Sequence, residues 1–123
     1  MEKDETVVIL GASNKPDRYA FMAFEGLKNK GFNVLPIHPT LKEINGVPVL
    51  SSLMAVPLPV NTITLYVSAE KSSAVAEQIL NLKPKRIIFN PGAENKSLAL
   101  EAKKQGIETV EECTLTMLTL NSF

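Results

Sequence analysis

The run Thr6-Val7-Val8-Ile9-Leu10 stops at Gly11, and this junction constrains the fold more than any other feature of the chain. A short, unbroken β-branched and apolar run suits a strand covered on both faces of a parallel sheet, where the alternation of a half-exposed strand is absent. Glycine at its end allows an immediate turn. Over residues 17–30, Ala20, Phe21, Phe24 and Leu27 recur at three- and four-residue spacing, and Gly31 stands where a helix would stop. The chain therefore opens as strand, loop and amphipathic helix.

That alternation continues. Residues 32–37 predict a second strand with its exit at Pro36-Ile37-His38-Pro39, because proline cannot continue a paired interior strand. Residues 40–59 carry a turn at Asn45-Gly46 and many prolines, so only a short helix near 51–55 is expected there. Further strands are predicted over 62–67, 85–89 and 107–110, and helices over 70–82, 95–105 and 115–120. Strands alternating with helices make right-handed βαβ units. The expected fold is a doubly wound α/β domain over residues 1–123, a five-stranded parallel Rossmann-like sheet of order 3-2-1-4-5. Its ligand crevice would open at the carboxyl ends of strands 1 and 4.

Thirteen basic and thirteen acidic side chains give zero formal net charge. No broad field then draws in nucleic acid or an anionic membrane, and any anion site must be local. One cysteine, Cys113, and one histidine leave neither a disulfide pair nor a Cys/His set for zinc. The charged amino terminus is followed by no long apolar run, so neither a signal peptide nor a membrane span is expected, and the reading is cytoplasmic.

The loop Gly11-Ala12-Ser13-Asn14-Lys15-Pro16 lies between first strand and first helix, where backbone N–H groups and a helix's positive end can hold a pyrophosphate. Ser13 adds a hydroxyl donor, and Lys15 and Arg18 add charge; Gly11 could equally be a turn glycine and Lys15 a solvated one. A side chain at position 11 is expected to fill the phosphate space with limited loss of fold. Ser13 and Pro16 stand where the dinucleotide fingerprint has its second and third glycines. No acidic residue lies between Glu25 and Glu43 to take a ribose diol. His38 and Pro39 occupy that place, and His38 reads equally as a nucleotide contact or a solvated loop residue. Catalytic groupings are absent: there is no second histidine and no nucleophile elbow. Glu94 reads as a capping or first-turn residue, and Cys113 as a small core residue.

Val8 to Ser13, Gly31 to Pro39, Ile44-Asn45-Gly46, Ser51-Ser52-Leu53, Pro91 to Glu94, Gly106-Ile107 and Cys113 together resemble the small bacterial CoA-binding proteins. These are similar to the CoA-binding domain that opens the succinyl-CoA synthetase alpha subunit. The resemblance implies that Gly11, Ala12 and Ser13 hold phosphate and that Pro36, His38 and Pro39 contact the nucleotide. It also implies that Val67, Ser68 and Gly92 wall the pocket where a pantetheine arm leaves. His38 replaces the family's usual asparagine, and Phe89-Asn90-Pro91 stands where an aromatic and glutamine stretch is usual. The extra ribose phosphate of coenzyme A calls for cations, for which Lys15, Arg18 and Lys42 are available, Lys42 reading more simply as a surface charge.

The resulting expectation is a module that binds coenzyme A or an acyl-CoA without catalysis of its own, serving regulation or docking. An NAD(P)-binding enzyme using the same crevice is the alternative, and a structural subunit of a larger assembly is a third. A homodimer contact through residues 56–60 and a separate protein partner both remain open.

Overall fold

The computed structural model describes residues 5–123. β1 (Thr6–Leu10) runs through the centre of the molecule, with Val7, Val8 and Ile9 fully buried. α1 (Tyr19–Asn29) follows and leads to β2 (Asn33–Ile37). A two-stranded hairpin of β3 (Glu43–Ile44) and β4 (Val47–Pro48) turns at Asn45 and Gly46, whose φ of 47° and 82° suit a type I′ turn. A 3-10 turn at Leu53–Ala55, capped by the Ser52 hydroxyl, precedes β5 (Thr62–Leu65). The remainder is α2 (Ala69–Ala74), α3 (Ala76–Asn81), β6 (Arg86–Phe89), α4 (Lys96–Lys104), β7 (Glu108–Val110) and α5 (Thr114–Thr119).

The main sheet is parallel and five-stranded, so the doubly wound Rossmann-like class holds. Its order corrects the expected one. The strands run β2-β1-β5-β6-β7, so the third strand of the sheet pairs with the far side of β1 and not with β2. In order of appearance this is 2-1-3-4-5, and the crevice opens between the first and third strands. Pro36 supplies a physical reason: lacking an N–H, it is tolerated in β2 only where that strand is an edge. The segment after β2 covers part of that edge, with Leu50 N–H donating to the Pro36 carbonyl (3.0 Å) and His38 N–H to the Leu50 carbonyl (3.0 Å).

β1 feeds two cores. Val8 packs with Ile63, Ile79, Ile87 and Leu98 beneath α2, α3 and α4, whereas Val7 and Ile9 pack with Phe24, Leu27 and Leu118 beneath α1 and α5. The helix expected over 70–82 is interrupted at Val75 (φ −119°, ψ 19°). Polar side chains compete with helical bonding just before the break: Ser72 Oγ donates to the Ala69 carbonyl (3.2 Å) and itself accepts from Asn95 Nδ2 (2.8 Å). Among the described residues no helix is long and apolar enough to cross a membrane.

Candidate functional site

β1 and β5 are neighbours, yet the chain leaves β1 towards α1 on one face and β5 towards α2 on the other. Their exits diverge and leave a cleft at the carboxyl edge. Gly11 forms its floor. Its φ is +91°, and a Cβ there would come 2.8 Å from Val67 Cγ1 and 3.0 Å from the Tyr66 carbonyl oxygen. Glycine is thus required for the two exits to pass each other. The expectation of limited loss of fold on substituting Gly11 is corrected accordingly, because the added side chain would strike β5's exit.

The cleft has two adjoining lobes that share Gly11, Arg18, His38 and Tyr66, with volumes of about 530 and 890 Å3. The smaller lobe is lined by Ser13, Asn14 and Lys15 from the loop and by Tyr19 and Ala20 from the first turn of α1. No side chain caps that end of α1 and its first turn has no acidic residue, so the positive end of the helix dipole faces the lobe unneutralised. Ser13 Oγ accepts the Lys15 N–H (3.1 Å), which holds the loop and leaves the hydroxyl proton to donate. Ala12 N–H donates to the Ile37 carbonyl (3.0 Å), fastening the loop to the end of β2.

The larger lobe is lined by Ala12, Pro39, Val67 and Ser68, and further by Lys71 and Gln78. His38 lines both lobes, and its Nδ1 accepts from the N–H groups of Thr40 (3.1 Å) and Leu41 (3.0 Å). That places the ring proton on Nε2, which is then a donor. Among the described residues, Lys15, Arg18 and Lys71 line the cleft, and no aspartate or glutamate lines either lobe. In a chain of zero net charge the cleft is a local cationic site.

Tyr66 was not anticipated. It follows directly on β5, at the carboxyl end of a central strand, and that position was the available signal. Its hydroxyl is buried without a satisfying hydrogen-bond partner. Burial pushes its pKa up to about 12, the nearby Thr114 hydroxyl lowering it and Cys113 raising it, so it remains a neutral donor at ordinary pH. Lys71 was missed as well, three residues beyond the Ser68 hydroxyl that caps α2 by accepting its N–H (3.3 Å).

The sequence-predicted positions Gly11, Ala12, Ser13, Asn14, Lys15, Arg18, His38, Pro39, Val67 and Ser68 come together here. Pro36 and Gly92 do not line either lobe. Pro36 is buried within β2, and Gly92 is a turn residue at φ 92° whose N–H donates to Glu94 Oε1 (3.0 Å), so Glu94 stabilises a turn. Lys42, offered as a third cation, also lies outside the cleft lining. Asn90 is structural: Nδ2 donates to Thr64 Oγ1 (2.7 Å) and the Leu65 carbonyl (2.8 Å), and Oδ1 accepts the Thr114 N–H (2.8 Å). It clamps the end of β5 to the start of α5, beneath the cleft floor.

Sheet order, winding and crevice define a Rossmann-like α/β domain with its switch point between β1 and β5. Residues 5–119 match the CoA binding domain family, and the chain belongs to it. The resemblance carried by the sequence motifs therefore holds. An uncharacterized protein of known crystal structure is 37% identical, with a TM-score of 0.90, covering 99% of this chain and 100% of that one. The uncharacterized protein YneT of Bacillus subtilis (strain 168) is 24% identical over 106 residues, 86% of this chain and 78% of its own. The dinucleotide-forming acetyl-coenzyme A synthetase 1 of Ca. Korarchaeum cryptofilum shares the fold, with a TM-score of 0.73 at 21% identity over 89% of this chain and 26% of that one.

Proposed function

We propose that this protein binds coenzyme A or an acyl-CoA in the cleft between the exits of β1 and β5, and acts as a binding or regulatory module without catalysis. The carrying observation is the lining: Lys15, Arg18 and Lys71 with no carboxylate among the described residues, around a glycine floor and an uncapped helix end. The N–H groups at the start of α1 and the Ser13 hydroxyl suit the pyrophosphate, and the cations suit the additional ribose phosphate. His38 Nε2 adds a donor, while Ala12, Asn14, Pro39, Tyr66, Val67 and Ser68 shape the walls. Family membership supports the same ligand.

The groups that line the cleft favour binding over catalysis. Ser13 and Ser68 each accept a backbone N–H, and among the described residues no carboxylate lines the cleft beside them to take a proton. An NAD(P) enzyme would want an acidic residue for the ribose diol at the end of β2, where His38 and Pro39 stand. Calorimetric titration with coenzyme A, dephospho-CoA and NAD tests the reading. Coenzyme A is expected to bind most tightly and dephospho-CoA more weakly; equal binding of the three, or none, would refute it.

A further inference from the structure

The cleft continues past Ser68. Leu53, Val75 and Gln78 line its larger lobe and also line a groove of about 550 Å3 between the 3-10 turn and α3. Val56 and Leu82 are buried within that groove, but Met54 and Leu58 at its rim are 79% and 66% exposed. Large apolar side chains are thus left in water beside a pre-formed depression that opens into the ligand cleft. Charge divides the same way. The cations line the cleft, and among the described residues the groove's one charged lining residue is Glu77. Lys71 stands on α2 and lines the cleft, whereas Leu82 caps the end of α3 and lines the groove.

We propose that this groove receives the acyl chain of a CoA thioester whose phosphates sit at the cationic loop. The pantetheine arm crosses at Val75 and Gln78, where the Gln78 carboxamide can pair with an amide of the arm. The inference rests on the coenzyme A reading and adds a substrate class: neutral aliphatic acyl-CoA. A dicarboxylic acyl group is disfavoured, since its free carboxylate would meet the Glu77 carboxylate and the apolar side chains of Val56 and Leu82.

Calorimetry on the full chain with coenzyme A, acetyl-CoA, octanoyl-CoA and succinyl-CoA tests this. Octanoyl-CoA is expected to bind on the order of tenfold more tightly than acetyl-CoA, as its added methylenes leave water, and succinyl-CoA no more tightly than acetyl-CoA. The double variant Met54→Asp, Leu58→Asp alters two exposed positions; it should keep the affinity for coenzyme A and lose the preference for octanoyl-CoA. Equal affinity for acetyl- and octanoyl-CoA, with coenzyme A still bound, overturns the acyl groove alone. Failure to bind any of the four overturns the coenzyme A reading with it. A preference that survives in the double variant places the chain elsewhere. A dimer in sedimentation that the double variant dissolves, without discrimination by chain length, makes the groove a contact between copies of the chain.

Discussion

At Gly11 a single hydrogen atom in place of a side chain lets the exits of two strands pass. Gly11→Val would force a β-branched residue to φ +91° and drive its Cβ against Val67 and the Tyr66 backbone. The expected cost is about 2–4 kcal/mol in urea unfolding, together with loss of coenzyme A binding. The cations act differently. Lys15→Ala and Lys71→Ala should each weaken coenzyme A roughly tenfold at low salt with little change in stability, an effect that shrinks as salt is added. Neither should affect an uncharged pantetheine fragment, which calorimetry can check. Tyr66 bears on stability. Its hydroxyl is buried and unsatisfied, so Tyr66→Phe should leave stability near neutral pH unchanged or slightly raised. Its pKa is raised from 10.0 to about 12, so the folded state holds this proton more tightly than the unfolded state does. The contribution is complete below pH 10 and is lost as pH rises towards 12; Tyr66→Phe should flatten that part of the stability profile.

Caps and edges explain most of the departures at the level of elements. Asn95 caps α4 by accepting the Leu98 N–H (3.1 Å), and its Nδ2 also reaches the Ala69 carbonyl (3.2 Å) and the hydroxyls of Ser72 (2.8 Å) and Ser73 (3.0 Å). One amide thus ties the start of α4 to α2, beside Lys71. Asn95→Ala should cost about 2 kcal/mol, more than a cap alone, and should speed amide exchange in α2 as well as α4. A single helix was expected across Ser72, Ser73 and Val75, because the partner that makes the break favourable comes from a distant cap. Pro36 shows the same limit: it marked the end of a paired run, yet its meaning for sheet order required knowing that β2 is an edge.

For the whole molecule, ligand and fold are linked. Coenzyme A at about a hundredfold above its dissociation constant should add about 2.7 kcal/mol to stability and raise Tm by several degrees in scanning calorimetry, whereas NAD at equal concentration should shift it little. Local pattern was enough to determine the α/β class and the loop between β1 and α1. Period and turn chemistry are short-range properties, and Val7 to Leu10, Gly11 and the spacing from Ala20 to Leu27 carry them directly. Likewise, no acidic residue near the end of β2 was visible in the sequence, since it depends on residue identity alone. Strand order was not, because placing β5 on the far side of β1 depends on how residues 38–61 cross the sheet and on which edge accepts Pro36. Nor were Tyr66 and Lys71 at the cleft, or the groove behind it, since these arise only when the exits of β1 and β5 are brought side by side. Sequence spacing determines which face of an element is apolar; packing between elements far apart in the chain decides which polar groups share a cavity.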